Sequence, residues 1–128
     1  MSRAKVLIID DEPSVADALK TILEDNGYEA ALAPTGGDGL EQSASRHFHL
    51  TITDYQLPDM SGLDVLTAMR SRAVACPVII ITAYPCPELL ATATARGALG
   101  VLPKPFLPSD ILALVAQALA GSAGRPAE

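Results

Sequence analysis

Five polar side chains close short apolar runs: Asp10 and Asp11 after Val6-Leu7-Ile8-Ile9, Asp54 after Leu50-Thr51-Ile52-Thr53, Thr82 after Val78-Ile79-Ile80-Ile81, and Lys104 after Gly100-Val101-Leu102-Pro103. Singly, each has a bland account. An acidic pair before Pro13 caps a helix, Asp54 turns the chain, and Lys104 is a solvated charge. Gathered at one place they are a chemical group. Three carboxylates about 5 Å apart repel by roughly 3 kcal/mol per pair at an effective dielectric of about 20, so the group demands a cation. Few ligands, all oxygen, with room left for water, favour Mg²⁺ over Zn²⁺ or a caged Ca²⁺. With such a metal and Lys104, the formal charges cancel. Converting Asp54 to an acyl phosphate would then add about one negative charge, which the ammonium and the metal are suited to stabilise.

Whether these residues meet depends on the elements that carry them. Five β-branched or apolar runs recur along the chain, at Val6–Ile9, Glu29–Ala33, Leu50–Thr53, Val78–Thr82 and Gly100–Leu102. Each is followed by a stretch of helical period. Val15, Ala18, Leu19, Ile22 and Leu23 mark the face of a first helix that Pro13 starts and Gly27 stops. Later helices are expected over Gly36–Ser45, Gly62–Ser71, Pro87–Arg96 and Ser109–Leu119. Strictly alternating strands and helices predict a doubly wound (βα)5 α/β sandwich of the flavodoxin-like type with a parallel sheet. The first, third and fourth runs are continuously apolar, as central strands are, whereas Glu29 and Pro103 suit edges. The expected strand order is 2-1-3-4-5. In such a sheet, ligands bind at the carboxyl ends of the strands, where all five polar residues fall.

The chain has 128 residues, 49% hydrophobic and 19% charged, which suits one globular domain. We read residues 1–120 as that domain and 121–128 as a linker or disordered tail. A net charge of −6 with only three lysines and no basic run argues against nucleic-acid binding by this segment. The apolar run at Val6 ends in acidic residues, unlike a signal peptide, and Ile111–Ala120 is too short to span a bilayer. Cytoplasmic residence without membrane contact is expected. Cys76 and Cys86 flank one strand, too far apart for a disulfide, and read as reduced thiols; His47 and His49 read as surface residues.

Four blocks carry a resemblance: Val6–Glu12 (VLIIDDE), Asp54–Gly62 (DYQLPDMSG), Ile81–Tyr84 (ITAY) and Lys104–Phe106 (KPF). In this order and spacing the chain resembles the response-regulator receiver domains of two-component phosphorelays, over residues 4–119. The resemblance implies that Asp54 accepts a phosphoryl group from a sensor histidine kinase or phosphotransfer protein. It implies Asp11 as a direct Mg²⁺ ligand, Asp10 as a ligand or its water-bridged support, and the Gln56 backbone carbonyl facing the metal. Thr82 would hydrogen-bond a phosphoryl oxygen, Ala83 would leave space for the donor, and Lys104 would pair with the phosphate. The bond from Lys104 to Pro105 would be cis, and Pro58 and Gly62 would shape the loop after the acceptor. Such a protein is a signalling receiver whose catalysis is limited to its own phosphoryl transfer and slow dephosphorylation.

One position departs from the family pattern: Val101 stands where receivers carry Tyr or Phe, three residues before the lysine. The nearby aromatics Tyr84 and Phe106 do not occupy that place. This removes the usual ring reorientation but leaves the phosphorylation chemistry intact. Among rivals, a haloacid-dehalogenase-like phosphatase needs a second Asp where Gln56 stands, a flavin binder needs a Ser/Thr/Gly-rich turn where Asp10 and Asp11 lie, and a scaffold without phosphorylation has no need of the full polar set. The surface formed by the fourth helix, fifth strand and fifth helix is expected to carry the switch. On the last helix, Ile111, Leu114, Val115, Ala118 and Leu119 should face inward. Leu112, Ala113, Ala116 and Ala120 should form an outer apolar strip that docks an effector or a second copy on phosphorylation.

Overall fold

The computed structural model describes residues 3–123. Ten elements alternate: β1 (Lys5–Ile9), α1 (Pro13–Asp25), β2 (Glu29–Ala33), α2 (Gly36–Ser45), β3 (Leu50–Asp54), α3 (Gly62–Ser71), β4 (Val78–Thr82), α4 (Pro87–Ala95), β5 (Gly100–Pro103) and α5 (Pro108–Ala123). All strand pairs are parallel and the order is β2-β1-β3-β4-β5, as the apolar runs predict. Every residue of β3 and β4 is buried, whereas the edge strands β2 and β5 are partly open. Pro103 sits on the outer strand beside Thr82, where a missing N–H costs no interior ladder bond.

Strand alternation builds two cores. Val6, Ile8, Leu50, Ile52, Ile79 and Ile81 pack with Leu19 and Leu23 of α1 and Ile111, Val115 and Ala118 of α5. On the other face, Leu7, Ile9, Val78 and Ile80 pack with Leu40 of α2, Val65, Leu66 and Met69 of α3 and Ala93 of α4. Leu19 is fully buried, so truncation to Ala would cost about 2–5 kcal/mol.

Several local expectations need correction. The inner face of α1 uses Ala16 rather than Ala18, because the helix presents 16, 19 and 23 to the sheet. Leu112 is half-buried against the α1/α5 core, so the outer strip of α5 consists of Ala113, Ala116 and Ala120. That helix also runs to Ala123, overlapping the first three residues of the segment read as a tail; residues 124–128 lie outside the described residues. His49 is half-buried rather than on the surface: its Nδ1 accepts from the Lys5 N–H at 3.0 Å while its own N–H donates to Lys5 O at 2.8 Å. Both cysteines are free thiols, and among the described residues no helix is long and apolar enough to cross a membrane.

Candidate functional site

The carboxyl ends of β1, β3, β4 and β5 surround a cleft of about 540 Å³ lined by Asp11, Glu12, Asp54, Gln56, Thr82 and Lys104, among others. Backbone bonds extend the sheet past its last paired residues and fix these positions. Asp10 N–H donates to Ala33 O, Tyr55 N–H to Ile81 O and Lys104 N–H to Thr82 O. The loop after Asp54 turns back tightly: Leu57 N–H donates to Met60 O and Gly62 N–H to Tyr55 O. A Cβ at position 62 would lie 2.6 Å from Asp54 O, so only glycine lets α3 start against the end of β3. Ser61 and Asp64 then close a reciprocal capping box.

Lys104 is the hub of the site. Its Nζ stands 3.3 Å from Asp54 Oδ1, 3.1 Å from Glu12 Oε1 and 4.0 Å from Asp10 Oδ2. Burial opposes its charge, but the Glu12 hydrogen bond and the Asp10 and Asp54 charges outweigh this and raise its pKa. Asp54 is raised above the ordinary carboxylate value by burial, with Lys104 pulling the other way. Asp10 is pushed up to about 6, chiefly by burial, then by the Asp54 charge against the relief from the Glu12 N–H. Its Oδ1 accepts from that N–H at 2.9 Å, whereas Oδ2 is buried without a hydrogen-bond partner.

The expected residues fall as follows. Asp10, Asp54, Thr82 and Lys104 converge, with Asp10, Asp54 and Thr82 all buried. Asp11 lines the cleft but is exposed, and the carboxylate group whose ligand atoms lie within 4.8 Å of one another is Asp10, Glu12 and Asp54. Gln56 lines the cleft, and its bridge to Ser61 runs through the N–H and C=O groups of Leu57, Met60, Tyr55 and Gly62, which leaves its own carbonyl out of that pairing. Thr82 Oγ1 accepts from Tyr84 N–H at 3.1 Å, so its hydroxyl proton is free to donate elsewhere. Ala83 lines the cleft and is exposed; Tyr84 is 77% exposed. Val101 is half-buried in register with Ile80 and packs on the α2/α3/α4 side, and the Lys104–Pro105 bond is cis.

Two residues escaped the reading of the sequence. Glu12 is the N-cap position of α1 but makes no side-chain cap bond; its carboxylate reaches Lys104 instead. Asp59 accepts from Gly36 N–H and Gly37 N–H at 2.9 and 2.8 Å and so ties the loop after Asp54 to the start of α2. The only signal for Glu12 was its place two residues after Asp10.

These residues fit a hard divalent cation. Asp10 Oδ2 is a buried oxygen with no hydrogen-bond partner, held beside Asp54 in an all-oxygen donor set, and a bound Mg²⁺ would supply the close contact it lacks.

Comparison with known proteins agrees with the geometry. The sequence profile of the response regulator receiver domain matches residues 6–116. The transcriptional regulatory protein DltR of Streptococcus agalactiae is 34% identical over 111 residues, 87% of this chain and 50% of that protein. The chain thus spans about half the length of that relative. A CheY-like response regulator receiver domain protein from Methanospirillum hungatei superposes with a TM-score of 0.90 at 32% identity, covering 95% of this chain and 98% of the other. Chemotaxis protein CheY4 of Vibrio cholerae superposes with a TM-score of 0.87 at 32% identity, covering 92% and 100%.

Proposed function

This chain belongs to the response regulator receiver domains of two-component systems, and from that membership we propose that Asp54 is its phosphoacceptor, with Lys104 and Thr82 as the groups that receive the phosphoryl oxygens. One observation carries the reading: buried Asp54 stands 3.3 Å from the Lys104 ammonium, which at 4.0 Å also faces the buried Asp10 oxygen that has no hydrogen-bond partner. An ionised Asp54 oxygen attacks the phosphorus of a phosphohistidine on a sensor kinase or phosphotransfer protein. The P–N bond breaks, the imidazole nitrogen leaves with the bonding pair, and an aspartyl phosphate remains. Lys104 neutralises charge on the transferred group, and the free hydroxyl proton of Thr82 is available to a phosphoryl oxygen. Exposed, small Ala83 leaves the approach to Asp54 open. Mg²⁺, when bound by Asp10, Asp11 or Glu12 with Asp54 and the Gln56 carbonyl, screens the developing negative charge.

The readout surface is α4, β5 and α5. Leu90 on α4 and Leu107 just before α5 are 50% and 64% exposed, and Ala113, Ala116 and Ala120 on α5 are exposed as well. An effector or a second copy is the proposed occupant.

Incubation with acetyl phosphate and Mg²⁺ tests the central assignment. Intact-mass measurement should show one added phosphoryl group on the wild type and none on Asp54→Asn. Full labelling of the variant would place the acceptor elsewhere.

A further inference from the structure

At the opposite end of the sheet from Asp54 lies a second cavity, of about 850 Å³. It opens among Arg46, His47, His49, Arg70, Cys76 and Leu99, with no carboxylate among its lining residues. The fold concentrates positive charge here although no basic run exists in the sequence. Each helix ends where the next strand begins, so Arg46, Arg70, Arg72 and Arg96 at the ends of α2, α3 and α4 join Arg3 and Lys5 at the start of β1. Of the eight cationic side chains among residues 3–123, only Lys20 and Lys104 lie away from this end. Helix dipoles favour cations at helix ends, which accounts for their placement. It does not account for their lack of carboxylate partners: among the described residues the only ion pairs are those of Lys20 and Lys104. Even Lys5, with Glu29 beside it in register, makes none.

The donors are also held in place. Arg70 Nη1 donates to Val74 O and Cys76 O, and Nη2 donates to Gly97 O. These three bonds fix the guanidinium and leave one Nη2 proton and the Nε proton unused. Arg46 stacks 5.2 Å from the centre of the Phe48 ring. Because His49 Nδ1 accepts from Lys5 N–H, the neutral ring carries its proton on Nε2 as a further donor. A cavity of this volume takes a small molecule rather than a lone phosphate ion, and Leu99, Val74 and Pro77 offer apolar wall for its body.

We propose that this cavity binds a small phosphorylated molecule of nucleoside-diphosphate size, with Arg46 and Arg70 facing its phosphates. The site is independent of phosphorylation at Asp54. The test uses the whole chain in metal-free buffer, with ADP, inorganic pyrophosphate and phosphatidylglycerol vesicles as separate probes, followed by calorimetry and amide resonances. ADP should bind and move the amides of residues 46–49 and 97–99. Arg46→Glu and Arg46→Gln should each retain the wild-type circular dichroism, and the charge reversal should weaken ADP by about tenfold or more. Asp54→Asn should bind ADP like the wild type, which separates this site from the phosphoacceptor. No movement of those amides, equal affinity in Arg46→Glu, or binding to the vesicles alone would overturn the proposal.

Discussion

Lys104 Nζ lies 3.3 Å from Asp54 Oδ1, so the proposed phosphoacceptor is held as the partner of an ammonium that Glu12 also contacts at 3.1 Å. Removing that ammonium leaves buried Asp54 to face Asp10 without a counter-charge, and its proton affinity rises further. Lys104→Met should therefore slow labelling by acetyl phosphate at pH 7 by about tenfold or more, since both the ionised nucleophile and the stabiliser of the transferred charge are lost. The acid limb of its pH–rate profile should move to higher pH. An unmoved limb would show that Lys104 does not govern the ionisation of Asp54.

The same burial sets a pH dependence of stability. In metal-free buffer Asp10 has a pKa of about 6 in the fold against 3.8 as reference, and Asp54 is raised as well. Between these values the native state holds more protons than the unfolded chain, so stability increases as pH falls from 7 towards 4. Lys104, also raised, keeps its full contribution below 10.5 and is constant in this window. The displacement of Asp10 amounts to about 3 kcal/mol at most, or several degrees in melting temperature. Calorimetry with a chelator present should give a higher melting temperature at pH 5 than at pH 7.5. The reverse order would mean that Asp10 is ionised in the fold without penalty.

Replacing the partnerless oxygen separates metal binding from folding. Asp10→Asn removes a buried charge and should raise the metal-free melting temperature at pH 7.5 while shrinking the increase that Mg²⁺ brings. Asp11→Asn, on an exposed side chain, should leave the metal-free value nearly unchanged and also shrink the Mg²⁺ increase. Glu12→Gln should cost less than about 1 kcal/mol, as its ion pair is largely solvated. A full Mg²⁺ shift in Asp11→Asn would remove that residue from the metal site.

What the sequence made legible follows from local physics. Val78–Ile81 is apolar throughout and reads as a strand covered on both faces, and such runs set the order of the sheet and the edge on which Asp10, Asp54, Thr82 and Lys104 meet. Glu12 was illegible because an acidic residue before a proline helix start reads as a cap. Its actual partner is 92 positions away and meets it only because β1 and β5, with two strands between them in the sheet, end on the same carboxyl edge. The positive end of the molecule was equally hidden. Arg46, Arg70 and Arg96 are separated by more than twenty residues each, and only the parallel winding of the chain brings three helix ends to one face.

Phosphorylation would reach the α4–β5–α5 surface through Thr82. Tyr84 N–H donates to Thr82 Oγ1 at 3.1 Å, a bond that ties the turn before α4 to the hydroxyl proposed to hold the phosphoryl group. If Thr82 swings towards Asp54, that turn loses its anchor. Tyr84, already 77% exposed, and the start of α4 are then free to rearrange, a change that needs no aromatic ring at Val101. Amides of residues 82–90 should accordingly shift on phosphorylation, whereas those of β2, on the far edge, should not. Leu112 is a poor probe because it packs on the core, but Leu90 is half-exposed on α4. Leu90→Glu should weaken phosphorylation-dependent self-association in sedimentation measurements without altering labelling of Asp54, because it adds a charge to the apolar surface and touches nothing in the cleft. Association that is identical with and without phosphate, in both proteins, would eliminate a second copy as the occupant and assign this surface to a different partner.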